Sequence, residues 1–180
     1  GVLDDLRRAF AALPDAKEQG LKAGAFSYNT GSLRCPTCDG TGQISLDVQF
    51  LPDVDIPCPD CRGSRYAADA YAIQMMVADE APSAQTLSLP ELLSLTVDEA
   101  LAALATGKKA RAKLQTLHDL GLGYLTLGES TPALSGGEAQ RLKLASELGR
   151  RQDDALFVFD EPTIGLHPLD VATLIAVLQR

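Results

Sequence analysis

Two Cys-x-x-Cys pairs are the residues of this chain whose type and spacing most directly specify a chemistry. Cys35 pairs with Cys38, Cys58 pairs with Cys61, and nineteen residues separate the two pairs. Each pair can form a tight turn that aims two thiolates at one tetrahedral ion, so the spacing predicts a four-cysteine zinc site. Because four protein ligands leave the ion no open position, we predict a structural zinc without metal-centred catalysis. Free core cysteines or a redox pair are the alternatives.

Glycines follow both cysteine pairs, at Gly40, Gly42 and Gly63. Glycine adopts positive φ without a steric penalty, and a turn of that kind lets backbone N–H groups point back at the sulfurs. We therefore expect left-handed turns immediately after the ligands.

A second candidate site lies where the apolar run 155–159 ends in Asp160 and Glu161. The run has the length and the uniform apolar character of a strand buried on both faces of a parallel sheet. Open α/β sheets bind their ligands at the carboxyl ends of such strands. There one acid can hold Mg²⁺ while the other orients and deprotonates an attacking water, as phosphoryl transfer requires. A strand end with solvated acids would show the same pattern.

The segment Leu134-Ser-Gly-Gly-Glu138 precedes these acids by about twenty residues and opens a predicted helix. Two glycines after a serine expose backbone N–H groups at the positive end of the helix dipole, which is an arrangement suited to phosphate. Taken alone, the segment is equally well explained as a helix cap.

Hydrophobic periodicity predicts the elements that must position these residues. Helices are expected over 2–12, after the capping box Thr96-Val-Asp-Glu99, over 108–120 and after residue 138, and the tail 168–180 is helical by pattern. The helix after residue 138 is expected to turn Ala139, Leu142, Ala145 and Leu148 inward. Alternating apolar residues over 44–50 predict a strand, and 78–88 reads as a loop.

Charge and hydropathy limit the classes of partner. The chain has 16 basic and 24 acidic residues, a net charge of −8, so as a whole it is no electrostatic surface for nucleic acid. The cysteine region 20–70 is also acidic, with four basic and six acidic residues. No stretch approaches the length of uncharged apolar residues that a spanning helix needs, and Gly1-Val2-Leu3-Asp4-Asp5 lacks the basic start and the apolar run of a signal peptide. We expect a cytoplasmic protein without a membrane partner.

Together, the Leu-Ser-Gly-Gly-Glu segment, its helix and the run ending in Asp-Glu-Pro-Thr resemble the signature and Walker B motifs of ABC-type ATPases. Further motifs narrow the resemblance to the second cassette of the UvrA family, the damage-recognition ATPases of bacterial nucleotide excision repair. They are Phe26-Ser-Tyr-Asn29, Phe50-Leu-Pro-Asp-Val54 between the cysteine pairs, Lys113-Leu-Gln-Thr-Leu117, Leu134-Ser-Gly-Gly-Glu-Ala-Gln-Arg141 and Asp160-Glu-Pro-Thr-Ile-Gly-Leu-His167. The resemblance covers nearly the whole chain.

The fold that this resemblance implies is α/β: an incomplete ABC-type ATPase domain with an inserted four-cysteine zinc module. The domain would consist of a mostly helical signature region and part of a parallel sheet. The implied segments are a helical lead-in (1–30), the zinc-binding module (31–75), a helical signature subdomain (76–150), and the Walker B strand with its following helix (151–180).

The resemblance also implies roles for particular residues. Those expected to contact ATP, held mainly by another cassette, are Ser135, Gly136, Gly137 and Glu138. Asp160 would support Mg²⁺, Glu161 would be the catalytic base, and His167 matches the Gly-Leu-His of the family. The implied partners are damaged duplex DNA, a second copy of the full-length protein in a dimer, and a UvrB-like repair protein.

Two departures from the family pattern qualify these expectations. No Gly-x-x-x-x-Gly-Lys-Ser/Thr occurs in the 180 residues, and in the family this P-loop lies upstream of the part that the chain resembles. We therefore predict that the chain alone does not hydrolyse ATP. Ile164 stands where the second cassette would have a threonine, which leaves open a UvrA paralogue, or another ABC-type ATPase, without a repair role.

Two other classes of function share some of these motifs. Cys35-Pro-Thr-Cys-Asp-Gly-Thr-Gly42 matches the repeat of a DnaJ-like zinc module that binds unfolded clients, but Cys58-Pro-Asp-Cys-Arg-Gly-Ser-Arg65 departs from that repeat and 134–167 would have no purpose. The nucleotide-binding subunit of a membrane transporter shares the ATPase motifs but does not predict the four cysteines.

Overall fold

A computed structural model describes residues 1–46, 54–77, 86–104, 107–129 and 134–148. It also describes Val158, Glu161, Thr163, Val171, Ala172, Leu174 and Ile175. The chain forms two compact units. We call Leu3–Ser94 the cysteine unit, and Gly1–Val2 with Leu95–Arg180 the helical unit.

The cysteine unit combines short helices with two small sheets. Its helices are α1 (Val2–Ala11), α2 (Pro14–Glu18), a 3₁₀ helix (Ala68–Ala72) and α3 (Leu89–Ser94). The first residue of α1, Val2, is assigned to the helical unit. Strands β1 (Gln43–Leu46) and β2 (Val54–Pro57) pair antiparallel, as do β3 (Gln74–Met76) and β4 (Thr86–Ser88). The predicted first helix is confirmed, and the strand predicted over 44–50 is confirmed through Leu46, its remainder lying outside the described residues.

Aromatic side chains form the centre of the cysteine unit. Phe10 of α1 packs on Phe26 with 6.0 Å between ring centroids, and both side chains are fully buried. The buried Tyr66 donates its hydroxyl to the carbonyl oxygen of Phe26 at 2.9 Å, and its ring meets Tyr28 edge-on at 6.4 Å. A buried phenol that keeps a hydrogen-bond partner avoids the cost of an unsatisfied polar group. The segments before the first cysteine pair and after the second are thereby joined through Phe26 and Tyr66.

The helical unit contains α4 (Val97–Ala103), α5 (Lys108–Asp119) and α6 (Gly136–Leu148). The predicted capping box at the start of α4 is confirmed: Thr96 accepts from the Glu99 N–H, and the Glu99 carboxylate accepts from the Thr96 N–H at 2.8 Å. Helix α5 is confirmed too, and Gly121 ends it with a φ of +70°. Arg111 of α5 donates to the carbonyl oxygens of Leu101 and Leu104, which satisfies the end of α4.

The inward face predicted for α6 is wrong at Ala139 and Leu142 but holds at Ala145, which packs against the core, while the side chain of Leu148 lies outside the described residues. Leu142 is exposed and Ala139 is exposed, whereas Arg141 and Leu144 are buried at 3% and 6% exposure. Leu144 packs with residues that form the core of this unit. They are Leu120, Leu122 and Leu174, with Leu117, Leu125 and Ala145 at the edge. Apolar residues occur all round α6, so the spacing chosen for the prediction did not define a unique face.

The architecture described is therefore mixed, with helices and two small antiparallel sheets. The strand predicted over 155–159, on which the parallel sheet of the predicted α/β fold depends, lies outside the described residues except for Val158. Val158 is 83% exposed and lies in no strand, so burial on both faces is wrong at this residue. Among the described residues, none of the helices combines the length and the apolar character that a membrane span requires.

Candidate metal centre and phosphate-binding helix

The four cysteines converge on one point in the cysteine unit. All four Sγ atoms lie within 4.8 Å of one another, and every side chain is buried. Sγ of Cys35 is 3.9 Å from Sγ of Cys58, and Sγ of Cys38 is 3.6 Å from Sγ of Cys61. A tetrahedral zinc site with bonds of about 2.3 Å separates its sulfurs by about 3.8 Å. The cluster thus has the size of a four-thiolate metal site, whereas a disulfide would require about 2.05 Å.

Left-handed turns follow both pairs, as the glycines predicted. Asp39 and Gly40 after the first pair have φ of +53° and +82°, and Arg62 and Gly63 after the second have +50° and +91°. Gly42 also has positive φ and donates its N–H to Sγ of Cys38 at 3.3 Å. Each pair is thus followed by two residues of positive φ, and the two turns direct their sulfurs toward the cluster in the same way.

Backbone contacts fix the two turns against each other. The Cys35 N–H donates to the carbonyl oxygen of Arg65 at 2.9 Å, and the Cys58 N–H donates to that of Gly42 at 2.9 Å. Strand β1 continues from the first turn and pairs with β2, which leads into the second. Ile44 of β1 packs directly against the sulfurs. Each pair is therefore positioned by the backbone beside the other pair.

The pKa values of two of the four thiols are shifted in opposite directions. Burial opposes ionisation of Cys38, but hydrogen bonds from the Gly42 N–H, Cys61 and the Gly40 N–H outweigh it and lower the pKa of Cys38 to about 7. Burial, with the neighbouring Cys38 and Cys58, raises the pKa of Cys61 to about 12. The pKa of Cys38 is therefore lowered while that of its neighbour Cys61 is raised. A bound metal ion would stabilise all four thiolates together.

Alanine at Gly40 should destabilise the cysteine unit far more than alanine at Gly63. Both positions have positive φ, which costs a residue with a Cβ about 1 to 2 kcal/mol. At Gly40 the added Cβ would also overlap the carbonyl oxygen of Tyr28, whereas at Gly63 it meets nothing within 4 Å. Denaturant unfolding of the metal-loaded variants measures the difference. Equal losses of unfolding free energy would show that the contact with Tyr28 imposes no constraint.

The phosphate-binding residues predicted from sequence lie at the N-terminus of α6. The Ser135 N–H donates to Oε2 of Glu138 at 2.6 Å, and the Glu138 N–H donates to Oγ of Ser135 at 3.3 Å. This reciprocal capping box uses the N–H groups of Ser135 and Glu138 but not those of Gly136 and Gly137. Ser135 and Gly136 are exposed, and the space beside the Gly136 Cα is open. The turn is therefore a helix cap whose capping box leaves the N–H groups of Gly136 and Gly137 unused.

A residue that sequence analysis missed, Tyr124, also belongs to this turn. Its hydroxyl hydrogen-bonds to Oε1 of Glu138. Hydrogen bonds from Tyr124 and from Ser135 lower the pKa of Glu138 below its ordinary value. The only sequence signal for Tyr124 is that an aromatic residue interrupts the glycine-rich stretch 121–128.

Of the predicted catalytic side chains, Glu161 alone is among the described residues. It is exposed, and its backbone has φ of +44°, an uncommon conformation for a residue other than glycine. Asp160 and His167 lie outside the described residues. His118, which is unrelated to the motifs, pairs through Nδ1 with Asp98 at 2.7 Å between α5 and α4.

Comparison with known proteins gives one consistent result. No family model matches the chain. The UvrABC system protein A of Bacillus subtilis is 45% identical over 181 aligned residues and that of Thermus thermophilus 42%, each covering 100% of this chain. A crystal structure of UvrA2 from Deinococcus radiodurans superposes with a TM-score of 0.83 and 43% identity over 99% of this chain. The chain spans 18% of the curated relatives and 21% of the UvrA2 chain.

Proposed function

We propose that the chain is one segment of a UvrA-family protein, an ABC-type ATPase that recognises DNA damage in nucleotide excision repair, because over its full length it is 45% and 42% identical to the UvrABC system protein A of two bacteria. In the full-length protein, ATP binding and hydrolysis would control DNA binding. The observation that carries the proposal is that similarity spans every motif of the chain, from the cysteine pairs to the Walker B segment. A DnaJ-like module would account for the cysteines alone.

The residues proposed to bind and hydrolyse ATP belong to the helical unit. The backbone N–H groups of Gly136 and Gly137, with Ser135 and Glu138 forming the turn, would bind a phosphate of ATP held mainly by another cassette. The accessible, capped N-terminus of α6 supports this assignment. Asp160 would hold Mg²⁺ and Glu161 would deprotonate the attacking water, with His167 nearby in sequence. The left-handed backbone at Glu161 supports a specialised position, because such conformations concentrate at functional sites.

The metal role falls to the cysteine unit, where the donor set and the sulfur spacing suit zinc. With Cys35, Cys38, Cys58 and Cys61 as ligands, the ion has no open position, so it would stabilise the fold. The segments proposed for these roles are the lead-in 1–30, the zinc module 31–75, the signature subdomain 76–150 and the Walker B region 151–180.

The partners proposed are damaged duplex DNA, a second copy in a full-length dimer, and a UvrB-like protein. The name of the relatives, UvrABC system protein A, supports the last of these. A cytoplasmic location and the absence of a membrane partner accord with that role. A second candidate is a paralogue without the housekeeping repair role. Ile164 and the similarity to UvrA2 favour it.

Steady-state ATP hydrolysis by the full-length protein tests the proposal. The rate is measured alone, with intact duplex and with duplex carrying a bulky lesion, all at one low salt concentration because phosphate contacts weaken steeply with salt. We expect DNA to change the rate and the lesion to change it further. A rate that responds to DNA but not to the lesion favours the paralogue. A rate indifferent to DNA leaves an ATPase without the repair role.

A further inference from the structure

The carboxylate of Glu138 is held by two different parts of the helical unit. Oε2 accepts the Ser135 N–H within the capping box, while Oε1 accepts the hydroxyl of Tyr124 from outside the helix. A capping box alone restrains a glutamate through its own turn only. The hydrogen bond from Tyr124 holds the second oxygen as well, so it restricts rotation of the carboxylate group of Glu138.

Tyr124 lies in a turn whose backbone is hydrogen-bonded to α4 on both sides of the residue. The carbonyl oxygen of Gly123 accepts the Asp98 N–H at 3.0 Å, and that of Leu125 accepts the Val97 N–H at 2.9 Å. A Cβ at Gly123 would overlap the Asp98 carboxylate, so the turn approaches α4 as closely as a glycine permits. The Cα of Tyr124 therefore has little freedom, although 59% of its surface is exposed. The exposed ring is held in place by its backbone.

The charges around the contact favour an ionised Glu138. Arg141, one turn further along α6, is buried and its positive charge stabilises the Glu138 carboxylate. Burial and the hydrogen bond to Glu138 raise the pKa of Tyr124, so its hydroxyl keeps the proton that it donates. The ionised carboxylate of Glu138 is thus stabilised by the hydroxyl of Tyr124 and by the positive charge of Arg141.

We infer that Tyr124 is a positioning residue for the phosphate-binding turn: by holding Glu138, it fixes the capping box that orients the N–H groups of Gly136 and Gly137. The inference rests on the proposed ATPase function of that turn. Tyr124 touches neither phosphate nor water in this role and acts only through Glu138. Its loss should therefore leave the fold intact but make the turn less well ordered.

The local part of the inference is tested by Tyr124→Phe in the zinc-loaded 180-residue chain, with Tyr71→Phe, an exposed tyrosine of the cysteine unit, as the control. We expect amide hydrogen exchange at Ser135 to accelerate about tenfold, in line with loss of a hydrogen bond to a charged group. The side-chain ¹³C titration of Glu138 should shift to higher pH, because the largest influence lowering its pKa is gone. Unchanged exchange and an unchanged titration midpoint would overturn the inference.

The nucleotide part is tested in the full-length protein. Tyr124→Phe should lower kcat for ATP about three- to tenfold with a smaller change in KM, because the turn acts on a nucleotide held mainly elsewhere. Altered exchange with unchanged kcat would overturn the inference, since the contact would then not serve the nucleotide. The proposed function has its own check: it fails if the wild-type protein does not hydrolyse ATP, whatever the variant does.

Discussion

Replacement of Cys58 by serine is expected to abolish tight zinc binding and to unfold the cysteine unit. The side chain of Cys58 is fully buried, and its Sγ lies 3.9 Å from that of Cys35, so the variant leaves three thiols and a buried hydroxyl at the centre of the cluster. Structural zinc sites contribute about 10 to 16 kcal/mol of apparent binding free energy, as much as the whole stability of a typical domain. Zinc content per chain and thermal unfolding with and without a chelator measure the effect.

Ser45→Ala is the matched control for the cysteine variant. Ser45 is exposed on β1, in the same hairpin as the cluster but away from the sulfurs, so this variant should bind one zinc ion per chain and unfold like wild type. Chelation of the wild-type chain should reproduce the unfolding curve of Cys58→Ser. A serine variant that retains both zinc and the wild-type unfolding curve would remove Cys58 from the ligands of a structural metal.

The cysteine cluster was predictable because its geometry is mostly local. Each Cys-x-x-Cys turn, with the positive-φ residues after it, is specified within about six residues of sequence. The two turns must also come together in space, and the antiparallel pairing of β1 with β2 between them brings this about. The capping box at Thr96 was predictable for the same reason, since a threonine and a glutamate three residues later determine it.

The packing of α6 and the contact of Tyr124 could not be predicted in the same way. The apolar residues of α6 surround the helix, so its buried face depends on where Leu120, Leu122 and Leu174 lie in the folded unit. Burial of Arg141 contradicts the usual expectation for a charged side chain, and Arg141 interacts with both Tyr124 and Glu138. Such contacts join elements whose relative position no local pattern encodes.

Replacement of Glu161 by glutamine in the full-length protein is expected to slow ATP turnover by about 10²- to 10⁴-fold, the range typical for removal of a general base. Glutamine keeps the size of the side chain and its hydrogen-bonding capacity but cannot accept the proton of the attacking water. It can also adopt the left-handed backbone found at this position, with φ of +44°, about as well as glutamate. ATP and DNA binding should therefore persist, and single-turnover hydrolysis together with nucleotide and duplex titrations separates the steps.

Glu18→Gln is the control for this experiment, because Glu18 is an exposed residue of α2 in the cysteine unit. Its turnover should equal that of wild type, and near-normal turnover in Glu161→Gln would remove Glu161 from the role of base. The DNA titration carries a further consequence. If Glu161→Gln with ATP holds intact duplex as tightly as damaged duplex, hydrolysis is the step that releases the protein from undamaged DNA. Discrimination that survives in the variant would instead assign damage selection to binding alone.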